Sequence, residues 1–176
     1  MQSKRLSGFT LIEVLVVIAL LGIVTALAAP GFASLVQSNR VQAAAGELQR
    51  ALYYARSEAM SRGVNVALIA PNANGWAGVV VISTVSTPVM PNEEVLRQYS
   101  LGLGAANILA SASVGGSGLT RLTFRPNGSL MLESSATVRI CGAGSIAPGK
   151  LFTLSVGGMV AISDYRPAQA SSKECG

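Results

Sequence analysis

Phe9 to Ala29 reads FTLIEVLVVIALLGIVTALAA, an apolar run broken by a single charge, Glu13. As a helix rising about 1.5 Å per residue it extends roughly 31 Å, enough for the hydrocarbon core of a bilayer. Lys4 and Arg5 lie on its N-terminal flank, which predicts a cytoplasmic N-terminus. A membrane anchor and a signal peptide both fit this much. Glu13 is the anomaly, because a carboxylate inside a membrane helix costs about 2.5–3.5 kcal/mol on insertion scales. Either it sits near the headgroups or is protonated, or it serves a function and needs a cationic partner. A new N-terminal amine at Phe9, in this chain or a neighbour's, would be such a partner.

Outside this run the composition narrows the function. The chain has 176 residues, half of them apolar and 12% charged, which is too hydrophobic for a disordered chain. It has no histidine, so Ser-His and Cys-His catalysis and His-containing metal sites are excluded. Two cysteines cannot form a four-cysteine zinc site but can form one disulfide. Aromatic residues make up 5%, too few for a base-stacking platform. The net charge is +5, and Lys4 and Arg5 supply two of those charges, so the chain without its leader carries +3. That surplus does not by itself argue for nucleic acid.

Beyond Pro30 the pattern stays helical. Val41, Ala45, Leu48, Leu52, Ala55 and Ala59 recur at alternating spacings of four and three, one face of a helix. Gly63 after Arg62 is the predicted stop. Pro30 removes a backbone donor and either kinks one helix or divides two. From Val64 the period changes to that of strands: 64–70, 76–83, 95–101, 119–124, 136–141, 151–156 and 159–163. Turn material separates them, including Pro71–Gly75, Pro126-Asn127-Gly128, Gly142–Gly149 and Gly157-Gly158. Gly102–Gly118, rich in Gly, Ala and Ser, is read as a loop.

The segment Lys4-Arg5-Leu6-Ser7-Gly8-Phe9-Thr10-Leu11-Ile12-Glu13 resembles the class III signal of type IV pilins and type II secretion pseudopilins. The resemblance implies cleavage between Gly8 and Phe9 by a prepilin peptidase and N-methylation of Phe9. It makes Glu13 the fifth mature residue, with a role in subunit docking and register, and puts Pro30 where pilins carry a helix-kinking proline. Leu52-x-x-Ala55-Arg56-Ser57-Glu58-Ala59, Arg62-Gly63, Leu122-Thr123-Phe124-Arg125-Pro126-Asn127-Gly128 and Val138-Arg139-Ile140-Cys141 are similar, in that order, to minor pilins and pseudopilins of the GspH/FimT type. The implied fold is α+β: a long N-terminal helix, half transmembrane and half amphipathic, packed on an antiparallel β head, the pilin fold. The implied parts are a leader (1–8), a membrane or filament-core helix (9–29), an amphipathic continuation (30–63) and a periplasmic β-rich head (64–176).

A non-enzymatic minor type IV pilin follows, without cofactor, inserted once in the inner membrane and then placed in a filament, at its tip. Its implied partners are the prepilin peptidase, the other minor pilins and the major pilin. A type II secretion pseudopilin is the alternative within the class. An oxidising periplasm implies pairing of Cys141 with Cys175, against two unpaired buried thiols. An ordinary secretory signal ending near Ala26-Leu27-Ala28 would instead release a soluble binding protein, but the apolar run is too long for one and carries Glu13.

Other constellations are set aside. Gly144–Lys150 has Walker A spacing, yet Leu151 stands where Ser or Thr is required and a strand follows. Glu93-Glu94 reads as a solvated turn rather than an acid–base pair. Nothing in the spacing of Ser57, Ser61 and Lys150 supports a Ser-Lys dyad. DNA-uptake pilins of the FimT type carry Gly-Arg-x-Arg on a late strand. Here Gly158-Met159-Val160-Ala161 lacks both arginines, so DNA binding rests on Arg121, Arg125, Arg139, Arg166 and Lys173 forming a patch.

Overall fold

The computed structural model describes residues 10–71, 76, 78–85, 93–101, 108–142 and 149–165. Gly8, Phe9, Cys175, Arg166 and Lys173 lie outside the described residues. The chain forms two compact units, Met1–Leu35 and Val36–Gly176.

Among the described residues one helix, α1, runs from Leu11 to Arg62. It continues through Pro30, so that residue does not divide two separate helices. A proline costs the ladder one donor, and the turns on either side remain helical. In the first unit every described side chain from Thr10 to Leu35 is exposed. The helix is long and apolar enough there to cross a membrane. Its few hydroxyls are bonded internally. Thr25 Oγ1 donates within reach of the carbonyls of Leu21 and Gly22, at 2.9 and 3.0 Å. Ser34 Oγ donates to the Gly31 carbonyl at 2.8 Å. A helix in lipid must satisfy its polar groups from within, and these bonds do so.

In the second unit α1 has a single buried stripe: Val41, Ala44, Ala45, Leu48, Ala51, Leu52, Ala55 and Ala59. The alanines allow close approach, and the fully buried Leu48 and Leu52 contribute about 1.5–3 kcal/mol each. The helix stops at Gly63, whose φ of +68° suits a glycine and whose N–H bonds the Ala59 carbonyl at 3.1 Å.

Among the described residues nine strands follow: β1 (Val66–Ile69), β2 (Val79–Thr84), β3 (Val95–Ser100), β4 (Ile108–Val114), β5 (Ser117–Gly118), β6 (Arg121–Phe124), β7 (Ala136–Gly142), β8 (Gly149–Leu154) and β9 (Val160–Tyr165). They form two antiparallel sheets, ordered β3-β2-β1-β6 and β5-β4-β7-β8-β9. Period-two alternation turns Val80 and Ile82, Val138 and Ile140, and Phe152 and Leu154 inward. These residues join the helix stripe in one continuous core. Trp76 is completely buried there, and its indole N–H donates to the Leu119 carbonyl at 2.7 Å.

One sequence reading is corrected. Gly102–Gly118 is not a loop throughout, because it contains β4 and β5. β4 pairs with β7 along its whole length, from Ile108↔Gly142 to Val114↔Ala136. Its alternation is carried by small side chains, Ala110 and Ala112 inward against Ser111 and Ser113, so it gives little hydropathy contrast. The overlooked signal was Gly115-Gly116, both at positive φ (58° and 86°), a two-residue hairpin turn joining β4 to β5.

Candidate functional site

The charged start of α1 is built locally. The Thr10 carbonyl accepts the N–H groups of Glu13 and Val14 at 3.1 and 3.3 Å, and Thr10 Oγ1 accepts the Glu13 N–H at 3.3 Å. Thr10 is therefore an N-cap, with Glu13 at the third helical position, the spacing of a capping box. The helix dipole favours an acid there. Sequence reading singled out Glu13 but missed Thr10, although the T-x-x-E spacing was legible. Glu13 is exposed in the first turn, with Leu11, Ile12, Val14 and Leu15 also exposed around it. Among the described residues the surface at this end is thus one carboxylate set among apolar side chains.

The head is locked at a second place. Arg125–Ser129 and Ser155–Met159 form matching turns. In the first, Gly128 N bonds Arg125 O at 2.8 Å and Arg125 N bonds Ser129 O at 2.7 Å. In the second, Gly158 N bonds Ser155 O at 2.8 Å and Ser155 N bonds Met159 O at 2.9 Å. Gly128 and Gly158 both have φ of +78°. The turns touch: a Cβ on Gly158 would fall 2.0 Å from the Gly128 carbonyl oxygen. Behind Gly128 stand Met60 and Arg56 of α1. Pro126-Asn127-Gly128 and Gly157-Gly158 were legible as turns, but their mutual contact was not.

Cys141 is buried on β7, and a Cβ on the neighbouring Gly149 would come within 3.2 Å of its Sγ. Gly149 is also paired with Tyr165, the last residue of β9. β9 therefore ends two strands away from Cys141 in the sheet, and Cys175 follows ten residues later in the sequence.

The constellations set aside from sequence have structural occupations. Lys150 lies on β8 and pairs with Asp164 at 2.5 Å. Ser57 and Ser61 donate back to the Tyr54 and Glu58 carbonyls. Glu93 and Glu94 are not merely solvated, since they pair with Arg121 and Arg62 at 3.6 and 3.3 Å. Of the basic residues, Arg121 is on the first sheet and engaged by Glu93. Arg139 is on the second, 5.7 Å from the centre of the Tyr165 ring. Arg125 Nη1 donates to the Leu130 carbonyl at 3.0 Å. Met159, where a DNA-binding arginine would stand, is 72% exposed.

An apolar helix with one acid in its first turn, followed by an antiparallel head, defines a class: subunits with the pilin fold, which are structural rather than enzymatic families. The family model for type II transport protein GspH matches residues 44–158, and the prokaryotic N-terminal methylation motif matches residues 3–29. The chain belongs to the GspH family and is a subunit of the minor pilin and pseudopilin kind. Among solved structures, the type IV minor pilin FimU of Pseudomonas aeruginosa (strain PAO1) is 29% identical, with a TM-score of 0.62 over 76% of this chain and 96% of that one. A second crystal form of FimU gives 26% identity and a TM-score of 0.59, over 74% and 99% of the two chains. Escherichia coli GspH, at 13% identity and a TM-score of 0.52 over 75% and 93%, shares the fold. No curated protein matches. The motif and the family imply processing by prepilin peptidase, assembly with other pilins, membrane anchoring and a periplasmic head.

Proposed function

We propose that this chain is a minor type IV pilin that helps to prime or cap pilus assembly at the inner membrane and filament tip. The observation that carries the reading is the exposed apolar helix with Glu13 in its Thr10-capped first turn, joined to a head similar to FimU over 96% of that solved chain. The peptidase removes residues 1–8, and the amine of Phe9 is methylated. The helix holds the subunit in the inner membrane, N-terminus cytoplasmic and head periplasmic, until extraction exchanges lipid for neighbouring helices. Glu13 then pairs with the terminal amine of a neighbour. Coulomb attraction is strong in a low-dielectric core and the cost of an unmatched charge is high, so the pair sets axial register. Pro30 bends the helix near the membrane exit, and a Cys141–Cys175 disulfide holds the C-terminal tail. The role is structural and uses no cofactor. DNA is not the preferred ligand, because Met159 occupies the expected arginine position and Arg121 is engaged by Glu93.

The test has two parts. Mass spectrometry of the native protein is expected to find methylated Phe9 as residue one; a retained leader or an N-terminus at Ala29 overturns the reading. Glu13→Ala and Glu13→Leu are expected to insert in the membrane normally but to be depleted from sheared filaments, and normal incorporation of both refutes the register role.

A second reading, a type II secretion pseudopilin, is favoured by the family model's own description. Deletion of the gene separates the two: loss of surface pili supports the first, and loss of enzyme secretion with pili intact supports the second.

A further inference from the structure

In the head, α1 and the edge strand β3 come together at one open surface. The α1 residues Glu47, Arg50 and Tyr53, with Arg97–Ser100 of β3, line an open groove of about 630 Å³. β3 is one of the two outer strands of the four-stranded sheet, at the opposite edge from β6. An outer strand presents backbone N–H and C=O groups that an extended segment can pair with. The register shift between Ile82 and Ser83 disturbs the start of β3, leaving Arg97–Ser100 as its regular part. Tyr53 stands 47% exposed on the helix beside it, an aromatic surface for whatever lies along the strand.

The charges in the groove are unequal. Arg50 is matched by Glu47 at 2.5 Å. Arg97 has no carboxylate partner among the described residues. Its guanidinium is instead held over two tyrosine rings, 5.5 Å from the centre of Tyr54 and 5.0 Å from that of Tyr99. These rings meet each other at 6.3 Å and 57°. Burial, and after it the carboxylate of Glu58, raises the Tyr54 phenol above its ordinary range, so this ring remains neutral beneath the arginine. Stacking holds the guanidinium plane while leaving its N–H fork available, and that fork matches a carboxylate.

We infer that this groove receives an extended, carboxylate-bearing segment of another subunit of the same filament, added to the outer edge of β3 with its acid on Arg97. The inference rests on the assembly role proposed above. Charge complementarity selects the occupant. Covering Arg97 with an apolar strand would strand a desolvated cation, so the groove discriminates against strands without an acid.

The test uses the full chain in assembling cells, with p-benzoylphenylalanine at position 53 and, as a control, at position 159. Ultraviolet irradiation is expected to join position 53 to another pilin subunit, through a peptide containing Asp or Glu. Arg97→Glu should reduce that adduct about tenfold, the effect of losing a matched pair and gaining a like-charge one. Arg97→Lys should retain most of it. Arg97→Gln, which adds no repulsion, should lie between them and serves if the glutamate variant fails to accumulate. A position-53 adduct to the chain's own C-terminal residues, or one unchanged by both Glu and Gln, overturns the groove. Absence of the adduct with the protein present in sheared filaments also overturns it and leaves the assembly reading standing. Absence of the protein from filaments and of the adduct overturns both.

Discussion

Replacing Gly158 by alanine tests the junction on which the head depends. Two costs apply. At a φ of +78° an L-residue loses about 1–2 kcal/mol. The new methyl would also lie 2.0 Å from the Gly128 carbonyl oxygen, well inside van der Waals contact. That oxygen cannot easily withdraw. Its turn is fixed by the Gly128–Arg125 and Arg125–Ser129 hydrogen bonds, and Met60 and Arg56 stand behind it. Relieving such overpacking costs typically about 1–3 kcal/mol. Gly158→Ala should therefore destabilise the head by about 2–5 kcal/mol. Gly63 is the internal control: its φ is +68°, but a Cβ there meets nothing within 4 Å, so Gly63→Ala should cost only about 1–2 kcal/mol. Trp76, the single tryptophan and fully buried, reports unfolding through its emission. In urea, on the full chain in mild detergent, the two midpoints should separate by about 0.5–1.5 M, the overpacking difference of about 1–3 kcal/mol divided by a slope of about 2 kcal/mol per M. Equal midpoints would show that the contact between the turns carries no stability.

Further predictions address the tail and the groove. If Cys141 and Cys175 are joined, closing a loop of about 35 residues contributes roughly 3–4 kcal/mol in the chain-entropy model. Cys141→Ser and a reducing agent should then lower the urea midpoint to a similar extent, and reductant should have no further effect on the variant. Tyr54, whose phenol is raised above 10.0 in the fold chiefly by burial, predicts a specific alkaline loss. Below its unfolded value the protonated ring is retained at no cost. As pH rises toward and through the higher folded value, the unfolded chain releases its proton first and stability falls. Tyr54→Phe should flatten that decline, as measured by urea midpoints on either side of pH 10.

Much of this molecule was readable along the chain because the relevant physics is local. A 21-residue apolar run with a single charge is long enough to cross a membrane as a helix, and the spacing of Val41 to Ala59 already marks the buried stripe. The Gly63 stop and the Pro126-Asn127-Gly128 turn follow from backbone preference alone. Glu13 stood out because a charge in apolar surroundings is costly in any fold. What escaped the reading depends on distant partners. β4 is a strand because β7 lies beside it, and its Ala/Ser alternation has little contrast without that neighbour. Arg97 looks like one more surface charge until packing brings Tyr54 and Tyr99 beneath it, with no carboxylate partner among the described residues. Gly128 and Gly158 are each ordinary turn glycines in sequence, and only folding sets one backbone against the other. Helix length, caps and turns are fixed by bonds within a few residues. Sheet order, close approach and the unmatched charge arise when segments far apart in the chain exclude water from one another.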